Sequence, residues 1–327
     1  LYNAAFSALQ INEHEKALAL ALEFLESFPD DTLTPDVKFI AAESELLTGN
    51  SRAAAERYKQ LVATTNPDNI QRPYWMLRTA ITCNLAQQYD DTVEILSREI
   101  DNFTTADQRA EALYLIGRAH FSAGRAADAV NALQACRETD SDWRGASQAV
   151  LLEGDALLDS GDIAAAHAVW LDLVRSEPNT LSAIQGLYKL AQSESEQGAY
   201  EQAINYYEQV LESENTGRLK PLAQYGKGWA LMQLARFEAA LEPLQAMLDD
   251  HKQHPLRNDA LLARGIVLRN LGKNRLATDD FQEFLSSGPT GHNLGHALYE
   301  LALIDQQEKE PGKAAQKLER LVKEIPD

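Results

Sequence analysis

Two histidine pairs are the sequence's nearest approach to a metal site: His251 and His254 in "HKQH", and His292 and His296 in "GHNLGH". Both fall in or near segments read below as connections, so solvated loop imidazoles are expected, with adventitious metal binding the remaining reading. His120 lies on an interior helical position and is expected to be a hydrogen-bonded core histidine. Asp30-Asp31, Asp249-Asp250 and Asp279-Asp280 bring carboxylates together, but calcium needs the alternating oxygen ligands of a binding loop, which none of these segments has. Solvated charge is the expectation. Cys83 and Cys136 have no spacing that suggests a metal site or a redox pair. The glycine-rich "SSGPTGHNLG" lacks the lysine of a phosphate cradle, and there is no H-E-x-x-H, G-x-S-x-G, G-x-x-x-x-G-K or G-x-G-x-x-G. No catalytic arrangement, cofactor or metal is expected.

Charge narrows the partners further. The 327 residues hold 30 Lys plus Arg against 49 Asp plus Glu, a net charge of −19, which repels phosphate backbones and anionic headgroups. Nucleic acid is therefore excluded as an expected partner. No apolar run approaches the ~18 residues that span a bilayer, and 45% hydrophobic residues are too many for a disordered chain. The opening Leu1-Tyr2-Asn3 is neither an initiator methionine nor a signal peptide, so the chain is expected to be part of something longer.

What could position functional side chains here is an internal period. Segments such as "ALYLIGRAHFSAGRAADAVNALQACRE" and "ALLARGIVLRNLGKNRLATDDFQEFLSSGP" superpose without gaps. A small residue recurs at Ala5, Ala42, Ala80, Gly117, Gly154, Ala191, Gly228, Gly265 and Ala302, at a spacing of 37 with one of 38. Twelve residues after each comes Ala17, Ala54, Thr92, Ala129, Ala166, Ala203, Ala240, Ala277 or Ala314. Only Thr92 departs from Ala or Gly, residues that make up about one in five of the chain.

Close approach explains the spacing: two antiparallel helices touch backbone to backbone only where neither carries a large side chain. Four residues further on, Ala21, Tyr58, Leu96, Leu133, Trp170, Tyr207, Leu244, Phe281 and Leu318 form a core stripe. Gly49, Gly124, Gly161, Gly198 and Gly272, with Asn12 in the first unit, are expected to cap the first helix of each pair in the left-handed region. Pro29, Pro67, Pro178, Pro289 and Pro326 are expected to end second helices, because proline cannot continue one. The pairs are αα-hairpins. Pro243 falls inside a second helix and is expected to bend it. The third unit, with Thr92 at the crossing and Glu99 at an apolar position, and the second, one residue longer, are expected to pack less regularly.

These positions, clearest in Leu113, Ile116, Gly117, Gly124, Ala129, Leu133 and Cys136, resemble the tetratricopeptide repeat, a helix-turn-helix unit of ~34 residues. The resemblance covers nine units, at 1–31, 32–68, 69–106, 107–143, 144–180, 181–217, 218–254, 255–291 and 292–327, read as one continuous array. It implies an all-α fold, a right-handed α-solenoid of hairpins. The longer period and connections such as "FPDD" and "SEPNT" look like the bacterial cell-envelope members of the family, among them outer-membrane assembly lipoproteins and the Tol-Pal coordinator. A periplasmic or envelope location is the expectation, a cytoplasmic one the alternative.

In this family the first helices line a concave face that binds partners. Three residues before each first small position stand Tyr2, Phe39, Leu77, Tyr114, Leu151, Tyr188, Tyr225, Leu262 and Tyr299; one residue after it, Phe6, Ile81, Trp229, Ile266 and Leu303 are apolar, while Glu43, Arg118, Asp155 and Gln192 are polar. Tyrosine at the former position also packs against the next hairpin, so the ladder serves structure as well. The expected peptide-binding groove is Tyr114, Arg118, Phe121, Tyr188, Tyr225, Trp229, Met232 and Tyr299, because aromatic, Met and Arg residues in a concavity favour peptide contacts. No pair of units supplies the Lys, Asn and Arg of a carboxylate clamp. The leading expectation is a non-catalytic scaffold for a segment of another protein, basic in character given the −19 charge. Alternatives are self-assembly through open repeat ends, and a docking region of a larger protein whose catalytic domain lies elsewhere.

Overall fold

The computed structural model describes residues 1–325, all of whose regular structure is helical. Two compact units divide the chain, Leu1–Val169 and Trp170–Asp327. The first contains α1 (Tyr2–Gln10), α2 (His14–Ser27), α3 (Thr34–Leu47), α4 (Ser51–Thr64), α5 (Arg72–Leu85), α6 (Tyr89–Glu99), α7 (Ala106–Ser122), α8 (Ala126–Thr139) and α9 (Ala146–Asp159). The boundary falls inside α10 (Ile163–Ser176). The second continues with α11 (Leu181–Glu196), α12 (Tyr200–Glu212), α13 (Leu219–Gln233), α14 (Phe237–Asp250), α15 (Arg257–Asn270), α16 (Asn274–Ser286), α17 (Gly291–Gln307) and α18 (Pro311–Glu324). Odd-numbered helices are the first of each hairpin and even-numbered helices the second. Within each unit the hairpins stack in chain order, as in an α-solenoid.

All eighteen small-residue positions are buried. Three glycines among them show how tight the crossing is. A Cβ on Gly117, Gly228 or Gly265 would lie 2.6, 2.5 or 2.6 Å from Leu133 Cγ, Leu244 Cγ or Phe281 Cε1. Each intruding side chain belongs to the core stripe sixteen residues on, so the stripe of the second helix rests on the bare α-carbon of the first. Thr92 keeps this geometry by burying its hydroxyl, which donates to the Ala80 carbonyl at 3.2 Å. Glu99 is likewise satisfied by both Arg72 terminal nitrogens, at 3.0 and 3.2 Å. The irregularity of the third unit is confined to the end of α6, at 11 residues the shortest second helix, which finishes in a 3-10 turn at Ile100–Asn102 before buried Phe103. Pro243 is buried inside α14, which stays helical on both sides of it.

Every hairpin turns through one left-handed residue: Asn12, Gly49, Gln87, Gly124, Gly161, Gly198, Ala235, Gly272 and Lys309. At each, the next amide reaches back to the first helix, as Arg236 N does to Leu231 O at 2.9 Å and Ala199 N to Glu194 O at 2.8 Å. Gln87, Ala235 and Lys309 escape a sequence search for Gly or Asn, because the backbone hydrogen bond that closes the turn holds the conformation whatever the side chain. Ala235, at φ +55°, carries a side-chain clash that costs about 1 kcal/mol. Ala235→Gly is expected to raise stability by about 0.5–1 kcal/mol, read as a higher thermal midpoint; an unchanged or lower midpoint contradicts it. Second helices end at Ser27, Thr64, Ser176 and Ser286, two or three residues before Pro29, Pro67, Pro178 and Pro289. The stop expected at Pro326 lies outside the described residues.

Candidate interaction surface

In the second unit α11, α13, α15 and α17 pack side by side in succession. Residues four apart on a helix share a face, so the positions three before, one after and five after the central small residue form one row per helix. The rows are Tyr188-Gln192-Glu196, Tyr225-Trp229-Gln233, Leu262-Ile266-Asn270 and Tyr299-Leu303-Gln307. Trp229 is 38% exposed and Tyr299 50%, large values for aromatic residues in a stacked array. Ile266 and Leu303 are half-buried, while Gln233, Asn270 and Gln307 are exposed. The last three rows thus place an apolar band beside a file of side-chain amides, one from the final turn of each helix.

One ion pair joins two of these helices beside the face. Arg269 of α15 is bonded through Nε to Glu300 of α17. Burial, then the nearby Asp259 carboxylate and Tyr207, push the Tyr225 hydroxyl up to about 12; burial and Tyr207 do the same for Tyr188. Both phenols stay neutral across the physiological range. Met232 and Tyr225 pack against the core from one side, and the Tyr225 and Trp229 rings lie 6.4 Å apart. Tyr188 leans on Tyr207 at 6.1 Å.

The sequence-expected residues of the first unit lie on α7. Tyr114, Arg118 and Phe121 share one face and are half-buried; Tyr114 packs on Trp143, with ring centroids 5.4 Å apart. Arg118 has no ion-pair partner among the described residues. The corresponding face positions elsewhere are mixed in role. Phe6 on α1 is 46% exposed, but Glu43 on α3 is buried, where Arg78 Nε and Nη2 donate to its two oxygens at 2.6 and 2.7 Å and the Tyr58 hydroxyl donates as well. Burial, with the Glu43 charge, holds the Tyr58 hydroxyl well above its usual range.

Of the titratable residues singled out in the sequence, Asp280, Cys83 and Cys136 are buried and His120 is half-buried. His120 accepts a hydrogen bond from Arg125 Nε at 3.0 Å, and burial with the Arg125 charge lowers its pKa. His292 and His296 lie not in a connection but on the first turns of α17, exposed, with ring centroids 4.2 Å apart. Asp280 corrects the expectation of solvated charge: it is buried, and Arg264 Nε and Nη2 bond its two oxygens at 2.8 and 2.5 Å. Cys83 and Cys136 are buried free thiols, each pushed up to about 12 by burial. Among the described residues no three metal-ligating side chains gather, and no helix is long and apolar enough to cross a membrane.

The sequence placed Ile266 and Leu303 at the face position after the small residue but did not include them in the expected groove. Their signal was the apolar residue at that position in three successive units, Trp229, Ile266 and Leu303. The buried ion pairs Glu43–Arg78 and Asp280–Arg264 had no such signal, because each joins positions from different registers of the repeat.

This arrangement defines the class: an α-helical repeat protein built of stacked hairpins. Residues 86–142, 188–255 and 228–292, together close to half of the chain, match the tetratricopeptide repeat family, and the chain is a tetratricopeptide-repeat protein. Its fold resembles the C-terminal part of a TPR repeat-containing protein from Cytophaga hutchinsonii at a TM-score of 0.63 and 14% identity, covering 76% of this chain and 95% of that one. A tetratricopeptide repeat protein from Parabacteroides merdae matches at 0.53 and 11% identity, over 86% and 98% of the two chains. YrrB, described as a TPR protein with an unusual peptide-binding site, matches at 0.50 and 19% identity, over 61% and 94%. No curated protein matches the chain.

Proposed function

We propose that this protein is a non-catalytic scaffold that binds a segment of another protein on its first-helix face, and that in the second unit the binding surface is Tyr225, Trp229, Met232, Ile266, Tyr299 and Leu303. One observation carries the reading: on α13, α15 and α17 an exposed or half-exposed apolar side chain, Trp229, Ile266 or Leu303, is followed one turn later by an exposed amide. An extended peptide lying across the helices meets a dry band for its side chains and amide donors and acceptors for its backbone. Core packing alone gives no reason to leave Trp229 and Tyr299 in contact with water. Tyr188 belongs to the same proposal as a flanking contact, Tyr114, Arg118 and Phe121 are proposed as contacts of the first unit's own first-helix face, and the reading of the nine hairpins as one array is part of the proposal.

The test is partner capture by Trp229→Ala and Tyr299→Ala variants whose thermal midpoints match the parent protein. A central aromatic contact is worth ~2 kcal/mol or more, so capture is expected to weaken by roughly thirtyfold for Trp229→Ala. Unchanged capture by both variants removes the first-helix face from the account. Self-association is the second reading, favoured by Val322 on α18, which is 68% exposed. Light scattering over a range of concentrations separates the two, since a strict monomer excludes it.

A further inference from the structure

Second helices are set apart from one another by the first helix between them, which leaves grooves on the opposite side of the stack. In the groove between α4 and α6, floored by α5, every ionic side chain is matched: Lys59 with Asp91 at 2.8 Å, Arg72 with Glu99 at 3.0 Å and Arg98 with Glu94 at 2.5 Å. In the groove between α12 and α14, Lys227 meets Glu208 at 3.0 Å and Lys220 meets Asp250 at 3.3 Å, while Glu212 and Glu242 have no cation within salt-bridge distance among the described residues. The groove between α14 and α16 goes further, with three such carboxylates around a leucine-lined floor.

It encloses about 720 Å³ over a floor of Leu268, with walls of Leu241 and the 52% exposed Leu276. Five carboxylates line it, Glu238, Glu242, Asp279, Asp280 and Glu283, against only Arg264 and Lys273. Arg264 is already consumed by Asp280 and by Gln245, whose Oε1 accepts from it at 2.6 Å, and Glu283 pairs with Arg257. Among the described residues Glu238, Glu242 and Asp279 have no cation within salt-bridge distance. Leucines at the bottom and unmatched negative charge at the rim are complementary to one kind of chain: a segment carrying lysine or arginine on either side of an apolar residue.

We infer that the α14–α16 groove is a second docking surface, for a basic protein segment whose apolar side chain seats on Leu241, Leu268 and Leu276 while its cations meet Glu238, Glu242 and Asp279. This surface lies on second helices and is separate from the first-helix face. Within the groove Arg264 stays bonded to Asp280, so binding leaves the internal ion pair in place.

Fluorescence anisotropy with a fluorescein-labelled peptide of about twelve residues, made of lysine, arginine and leucine, tests the inference at ~0.1 M salt. The triple variant Glu238→Gln, Glu242→Gln, Asp279→Asn is expected to weaken binding roughly tenfold. The charge-matched control Glu23→Gln, Glu26→Gln, Asp30→Asn, all exposed positions on or beside α2, is expected to change it less than about twofold. Leu276→Ser is expected to weaken it about fivefold, and Trp229→Ala to leave it unaltered. Equal losses in the two triple variants would mean general charge attraction and overturn the inference. So would indifference to Leu276→Ser, or binding lost in Trp229→Ala and kept in the groove variants. The last result would strengthen the first-helix reading while removing this one.

Discussion

Replacing Arg78 by methionine is expected to destabilise the first unit by about 3 kcal/mol. Arg78 reaches from α5 to Glu43 on α3, a carboxylate 8% exposed that also accepts from the Tyr58 hydroxyl. Removing one partner of a buried pair leaves the other charge without its counter-ion, a loss of ~3–5 kcal/mol, and the lower end applies because the Arg78 side chain keeps 24% exposure. Adding Glu43→Gln to the same chain is expected to restore most of the loss, since no bare charge then remains and the amide still accepts from Tyr58. Urea unfolding of the two single variants and the double variant measures the coupling. A loss below about 1 kcal/mol for Arg78→Met, or additive effects in the double variant, would show that the pair is solvated.

Gly265→Val is expected to cost the second unit at least as much, about 3 kcal/mol. The new Cβ would stand 2.6 Å from Phe281 Cε1 and 2.9 Å from Cδ1 and Cζ, on a fully buried ring that can move only by displacing its neighbours. Helix propensity works in the opposite direction, since valine suits a helix interior a few tenths of a kcal/mol better than glycine, so the sign of the result isolates the steric effect. Gly312 supplies the comparison: it sits in α18 with nothing within 4 Å of its would-be Cβ, and Gly312→Ala is expected to leave stability unchanged or raise it by up to ~1 kcal/mol. Hydrogen exchange locates the damage, with amides of α15 and α16 expected to exchange faster in Gly265→Val. A Gly265→Val protein as stable as the parent would mean that the helices separate at little cost.

Both predictions bear on function through position. Gly265 sets how closely α15 approaches α16, and α15 carries Ile266 into the apolar band on one side and Leu268 into the floor of the α14–α16 groove on the other. Loosening that crossing is therefore expected to disturb both surfaces together, whereas Trp229→Ala or the groove variants act on one.

Much of this was legible without coordinates, and for a definite reason. A repeat writes each contact nine times, so Ala5 and Ala17, Gly117 and Ala129, or Gly265 and Ala277 reinforce one another, and the hairpin, its crossing point and its core stripe emerge as a period. The capping residues were legible only where chemistry marked them: Gly49 or Gly272 announces a left-handed backbone, Ala235 does not. Among the expected groove residues, the tyrosines could not be sorted by type. Tyr299 is exposed while Tyr114 rests on Trp143, although both stand at the same register.

Periodicity, in short, reports what every unit shares: two helices, a tight turn and a small-residue contact that depends only on neighbours within one hairpin. Exposure and charge pairing depend on which residues from different registers meet, between hairpins as for Glu43 and Arg78 or within one as for Arg264 and Asp280, and these change from unit to unit. That is why Glu43 disappears into a buried ion pair while Trp229, at the equivalent position, reaches solvent. It is also why three carboxylates between α14 and α16 are left unmatched when the groove between α4 and α6 closes its own charges, a difference that appears only once the chain is folded.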